Sequence, residues 1–151
     1  MLTHTAFLPG GETTDQLATG RKAFIARKLG TRANVVDRLI AAVALSPHSG
    51  DAQWTLIEAA ENGWWYSAPL PGARTVFAYM TDSDLWTSAR WEEFLKSAPL
   101  MSERGSVIGA RPPVRVVSAA TLLRQPVAGP NWMVVGDAAF AVDPLFRPRD
   151  L

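Results

Sequence analysis

Apolar and polar positions change period several times along the chain. Between Asp15 and Leu29, the apolar residues Leu17, Ala23, Phe24 and Leu29 predict a helix that stops at Gly30, with Lys22, Arg27 and Lys28 on its solvated side. Val35 to Leu45 is mostly aliphatic, with Arg38 interrupting, and predicts a buried strand over Arg38 to Leu45. A turn is expected at Pro47 to Asp51. Two strand-like runs, Trp54 to Glu61 and Trp64 to Pro69, flank Asn62-Gly63, a dipeptide that tolerates positive φ and so predicts a two-residue hairpin turn. Pro71-Gly72 predicts a second turn into Thr75 to Met80, which makes three adjacent antiparallel strands. Past Asp82 the period lengthens: Trp91, Phe94, Leu95 and Ala98 fall on one face of a helix. Pro99 and Gly105 bound a short second helical turn. Ala110 to Pro113 reads as an extended loop, Val114 to Val117 as a strand, and Leu122 to Pro130 as irregular or extended. Trp132 to Val135 is an unbroken apolar run ending at Gly136-Asp137, the pattern of a parallel strand covered on both faces.

This order is a helix, a meander of strands, helices, and then a buried strand with its turn. It predicts an α+β class, an antiparallel sheet with helices set before the last strand of a larger α/β domain, rather than a repeating βαβ unit. Residues 1–17 are expected to be loop-like, 18–130 to form the sheet-and-helix region, and 131–151 to carry the terminal strand and turn.

With 151 residues, 48% of them hydrophobic, the chain is long enough to bury a real core. A net charge of +1 offers no broad field for nucleic acid, which is not expected as a partner. There are no cysteines, so disulfides, thiolate nucleophiles and cysteine metal sites are excluded. The two histidines, His4 and His48, are far apart and predict no metal centre. No apolar run approaches a membrane span, no secretory leader is read at Met1 to Gly11, and a cytoplasmic setting is expected. Six tryptophans are many for this length and suit either a heavy core or the wall of a flat-ligand pocket.

The candidate chemistry concentrates in Trp132 to Leu145. A strand that stops at Gly136-Asp137 sets a carboxylate at its carboxyl end, where open α/β sheets bind ligands. Asp137 can accept hydrogen bonds from sugar-type hydroxyls, worth roughly 1.5–3 kcal/mol each when charge-assisted. Ala138 and Ala139 leave room beside a bulky ligand, and Asp143-Pro144 forms a turn able to aim backbone N–H groups at an electron-rich edge. The same Gly-Asp pair also reads as a helix cap. No residue stands out as a general base, so no catalytic residue is assigned; Glu58, Glu61 and Asp82 qualify by location alone.

Gly136-Asp137-Ala138-Ala139, three residues and then Asp143-Pro144-Leu145 resemble the second flavin-binding motif of the FAD-dependent monooxygenases and halogenases built like p-hydroxybenzoate hydroxylase. The resemblance implies that Asp137 contacts the ribityl chain of FAD and that Asp143 and Pro144 lie near the isoalloxazine ring, with Gly136 permitting close approach. Glu58 to Pro71 resembles the aromatic hairpin of flavin halogenase-like enzymes and of flavoproteins that mature quinone-bearing amine oxidases. Trp64, Tyr66 and Pro69 then become substrate-pocket residues. Tryptophan halogenases have Trp-X-Trp-X-Ile-Pro here; this chain has Tyr66 and Ala68 in place of the second Trp and the Ile. A third match, Ala18-Thr19-Gly20-Arg21 followed by Ala26-Arg27-Lys28-Leu29-Gly30, implies a cofactor-binding role for Arg21, although Leu17 stands where the family has Asp.

The family's G-x-G-x-x-G occurs nowhere in the chain, so no loop of that kind cradles a pyrophosphate. The resemblance covers Ala18 to Leu145 and starts and stops abruptly. An incomplete piece of an FAD-dependent oxidoreductase is therefore expected, inactive by itself. Its parent would act on an aromatic or peptide-borne substrate, with electrons from NAD(P)H or a flavin reductase. The alternatives are a non-enzymatic remnant or a small α+β binding module with an aromatic-walled pocket.

Overall fold

A computed structural model describes residues 22–47, 53–105 and 112–143. They form two compact units: Arg38–Ala119, and the residues through Asp37 together with those from Ala120 onward. The mixture of helices with antiparallel sheets is the α+β class that the pattern predicts.

The unit Arg38–Ala119 is built on a five-stranded antiparallel sheet. Its strands are β2 (Leu39–Pro47), β3 (Leu56–Ala60), β4 (Gly63–Leu70), β5 (Arg74–Asp82) and β6 (Arg115–Ser118), in the order β3-β4-β5-β2-β6. The expected meander is β3-β4-β5. Its first turn is shifted by one residue: Ala60 pairs with Gly63, so Glu61-Asn62 is the loop, and positive φ among non-glycine residues occurs at Ala23 and Ala73 rather than here. Gly63 serves a different purpose from the one its dipeptide suggests. A Cβ there would run into the Met80 carbonyl oxygen on β5, so the strands close up only with glycine at this place. The second turn, at Pro71-Gly72, forms as expected, with Gly72 at φ 77°.

One sheet face is covered by α2 (Trp91–Lys96) and α3 (Pro99–Gly105). Trp65, Phe77 and Tyr79 from the sheet meet Trp91, Phe94, Ala98 and Met101 from the helical segment, which confirms the helical spacing read from the sequence. Trp65 sits with its ring centroid 4.9 Å from those of both Tyr79 and Trp91, and its indole N–H donates to the Phe94 carbonyl at 3.2 Å. The helices are tied down by polar groups as well. Glu58 on β3 accepts the backbone N–H groups of Leu100 and Met101 at 3.1 and 2.6 Å, which satisfies the otherwise orphaned donors at the start of α3. Glu58 is thereby a structural carboxylate. Glu58→Ala is expected to cost about 1–3 kcal/mol in urea unfolding, because it strands two N–H groups, whereas Glu58→Gln keeps an acceptor and loses less. Equal losses for the two variants would refute this role.

The other unit contains α1 (Phe24–Lys28), β1 (Arg32–Val35), β7 (Leu122–Gln125), β8 (Ala128–Gly129), β9 (Trp132–Met133) and β10 (Phe140–Ala141). Strands β1, β7 and β10 form a small antiparallel sheet with β7 in the centre. Helix α1 stops at Gly30 as expected, with φ 83° there, and Lys22, Arg27 and Lys28 are exposed. The buried side of α1 differs from the expected one: Ala23 and Ala26 face the core, while Phe24 is 59% exposed.

The expectation for Trp132 to Val135 needs correction. This is not a parallel strand buried on both faces. Only Trp132 and Met133 are paired, antiparallel to β8, and burial alternates along the run: Val134 is buried while Met133 and Val135 are exposed. A covered parallel strand requires parallel neighbours supplied through crossover connections. Among the described residues every strand pairing is antiparallel, so one face of this run packs and the other does not.

Candidate functional site

The turn after β9 carries the leading candidates. Gly136 has φ 60° and opens a single 3-10 turn, Gly136–Ala138, after an extended Val135. For a residue with a side chain, left-handed backbone would cost about 1–2 kcal/mol. Asp137 therefore lies inside this turn and does not cap a helix after a strand. It is exposed, and among the described residues its carboxylate makes no hydrogen bond or ion pair.

The turn beneath that carboxylate is fixed from two directions. Ala138 is buried against Ala23, Ala26 and Val134, so a larger side chain would not fit there. From β7, Arg124 donates its backbone N–H to the Ala139 carbonyl at 2.8 Å and its side-chain Nε–H to the Ala138 carbonyl at 2.9 Å. Asp143 follows β10 in the same unit and is half-buried. Pro144 and Arg21, expected to share this site, lie outside the described residues, as do His4 and His48.

The hairpin candidates separate by strand parity. Trp64 and Tyr66 are half-buried on the sheet face that carries neither α2 nor α3, packed against Ala41, Ala78, Met80 and Ala119. Cross-strand pairing continues this wall through Trp64 with Met80 and Tyr66 with Ala78. Pro69 is three positions after Tyr66, an odd offset, and lies on the opposite face, with Trp65 and Ser67. Hence the structure brings two of the three expected pocket residues together. The floor beside the two aromatic rings is made of three alanines and Met80.

The other titratable groups offer less. A shallow depression between the hairpin tip and α2 has Asn62, Tyr79, Arg90 and Glu93 on its walls, but Arg90 and Glu93 already satisfy each other through two hydrogen bonds of 2.9 and 2.6 Å. Burial raises the Tyr79 phenol above its ordinary pKa, against the opposing effect of a hydrogen bond with Thr81. Glu61 and Asp82 are exposed. Among the described residues no cluster of His, Asp or Glu could hold a metal ion, and no helix is long and apolar enough to cross a membrane. Two roles that matter here went unread in the sequence. Arg124 sits in a stretch expected to be irregular or extended, and Glu58, considered only as a general base by location, meets α3 across 42 positions of chain, beyond any local signal.

No protein-family model matches the chain. Among curated proteins it is similar to one named as an FAD-dependent oxidoreductase, LodB of Marinomonas mediterranea, with 28% identity covering 85% of this chain and 37% of that protein. Among solved structures it resembles CmlS, a flavin-dependent halogenase, with TM-score 0.65 and 21% identity over 83% of this chain and 25% of the other. It also resembles QhpG, a peptidyl tryptophan dihydroxylase essential for tryptophylquinone cofactor biogenesis, with TM-score 0.58 and 24% identity over 74% and 29% of the two chains. The chain thus spans little more than a third of the curated relative. Its fold is that of part of the flavin-dependent halogenases, and the likeness to FAD-dependent halogenase- and monooxygenase-like flavoproteins read from its motifs is supported as that of a partial chain.

Proposed function

We propose that the chain is the substrate-side sheet and late flavin-contacting turn of an FAD-dependent oxidoreductase that oxygenates, halogenates or oxidises an aromatic or peptide-borne substrate. The observation that carries this reading is the Asp137 carboxylate, which is exposed on a turn fixed by glycine and Arg124 and makes no hydrogen bond or ion pair among the described residues. A carboxylate that neither caps a helix nor closes an ion pair is free to accept hydrogen bonds from ribityl hydroxyls. Gly136 and Asp137 fit such a group: the glycine keeps side-chain bulk away from the turn, and the acid offers two acceptor oxygens. Asp143, with Pro144 and Arg21, would complete the cofactor side, and Trp64 and Tyr66 would present an aromatic wall to the substrate.

FAD, when bound, supplies the redox chemistry, with NAD(P)H or a flavin reductase as its electron source. The protein's own residues bind, orient and exclude water. Because G-x-G-x-x-G is absent from the sequence, the 151-residue chain is expected to be inactive by itself and to hold little or no FAD. The competing reading, a small binding module with an aromatic wall, is favoured by the apolar sheet face around Trp64 and Tyr66, where Ile57 and Val117 are exposed.

One experiment separates the two readings: FAD titration of the chain with and without a supplied dinucleotide-binding half. The chain alone is expected to purify colourless and to bind FAD weakly, and the complemented chain tightly. Asp137→Asn is expected to weaken binding by about tenfold or more, from loss of charge-assisted hydrogen bonds. Tight stoichiometric FAD in the chain alone would refute the weak-binding statement. An Asp137→Asn variant that binds FAD like the parent would refute the role of the carboxylate.

A further inference from the structure

Arg124 is almost wholly buried, at 4% exposure, in the middle strand of the β1-β7-β10 sheet. Arginine is seldom placed so deep unless its donors are used. Here the use is specific. The backbone N–H of Arg124 holds the Ala139 carbonyl and its Nε–H holds the Ala138 carbonyl, so one residue takes both carbonyls that follow Asp137. The turn's own closing bond, from the Ala139 N–H to the Gly136 carbonyl at 2.8 Å, lies within that grip. The ordinary ladder of β7 with β10 continues immediately afterwards, through Leu123 with Phe140 and Leu122 with Ala141. The Nε–H bond is thus an addition to the sheet, placed directly under the residue that bears the candidate ligand.

We infer that Arg124 is a positioning residue: its Nε–H donor fixes the Gly136–Ala139 turn and thereby the direction of the Asp137 carboxylate toward a polyol-bearing ligand. The inference rests on the flavin reading for the identity of that ligand but not for the geometry of the grip. Two substitutions isolate the donor. In Arg124→Gln the side-chain amide nitrogen is as many bonds from Cα as Nε is, so the donor survives without the charge. Arg124→Met keeps an apolar chain of similar reach and puts a methyl group there instead.

The test is amide hydrogen exchange on the full 151-residue chain, with FAD titration as a second arm. Arg124→Gln is expected to protect the Ala139 amide as the parent does. Arg124→Met is expected to speed its exchange about tenfold, with the β2 and β5 amides unchanged, as loss of one buried hydrogen bond implies. Parent-like exchange in the Met variant, or equally fast exchange in both, would overturn the inference. Should the Met variant not fold, the Gln variant decides alone: protection at Ala139 supports the grip, and tenfold faster exchange there overturns it. In the second arm, Arg124→Met and Asp137→Asn are expected to weaken FAD binding by similar factors that do not multiply in the double variant, because one acts through the other. Multiplying factors would overturn the positioning role. If the chain binds no FAD even with the dinucleotide-binding half supplied, the flavin reading falls and the exchange data still decide the role of Arg124.

Discussion

Trp65→Ala is expected to lower the stability of the Arg38–Ala119 unit by about 3–5 kcal/mol, while Trp64→Ala, one residue away, costs about 1 kcal/mol. The contrast follows from strand parity. Trp65 is fully buried, with Tyr79 and Trp91 against its ring and its indole N–H on the Phe94 carbonyl. Truncation would open a cavity, end two ring contacts worth about 0.5–1.5 kcal/mol each and strand a carbonyl that links the sheet to α2. Trp64 points to the other face, is half-buried and donates no hydrogen bond that a helix depends on. Its loss should spare the fold and, on the proposed function, weaken binding of an aromatic substrate. Urea unfolding followed by the remaining tryptophan fluorescence gives both numbers. Reversed losses, with Trp64 the costlier position, would mean that β4 is one residue out of this register, since such a slip exchanges the faces.

Gly63→Ala should be nearly as damaging, for a reason that has nothing to do with turn propensity. The added methyl would overlap the Met80 carbonyl oxygen, and the next nearest atoms are the Met80 carbonyl carbon at 3.1 Å and Thr81 Cβ at 3.2 Å. These are backbone atoms and a branched Cβ inside the β4–β5 ladder, so no side chain can swing aside. Overpacking of this kind costs about 1–3 kcal/mol, and here the upper end or beyond is expected because two paired strands must part. Gly72→Ala is the matched control. Gly72 has φ 77°, yet nothing lies within 4 Å of a Cβ placed there, so only the backbone preference is lost, about 1–2 kcal/mol. Denaturant midpoints, together with hydrogen exchange at Trp64 and Met80, would show the difference. Similar penalties at both glycines would remove close approach as the explanation for Gly63.

The α2 face is a case in which local pattern sufficed. Trp91, Phe94 and Ala98 recur at helical spacing, and all three are buried in the aromatic core. The meander was legible for the same reason, since Pro71-Gly72 and the strand-like runs on either side of residue 62 act over a few residues. The turn shift at Gly63 was not legible. Asn-Gly signals a turn by local backbone preference, but the residue lies against Met80, seventeen positions later, and only pairing with β5 reveals the conflict.

Burial of the last strand went astray in the same manner. Four consecutive apolar residues cannot tell one packed face from two, and the answer depends on what stands beside the strand. Trp132 to Val135 found a hairpin partner in β8 and an alanine-lined contact on one side only. Arg124 shows the converse. Leu122 and Arg124 both point inward from β7, but an arginine at an inward position breaks the apolar alternation that would have marked a strand.

What the sequence determined by itself was therefore everything carried by neighbours in the chain: the helical face at Trp91, the second turn of the meander and the Gly-Asp-Ala-Ala string. Tertiary structure alone decided which of Trp64, Trp65, Tyr66 and Pro69 share a face, that Glu58 serves the start of α3, and that Arg124 holds the turn under Asp137. The last two depend on partners 42 and 14 positions away, so their energy arises only once the chain has closed on itself.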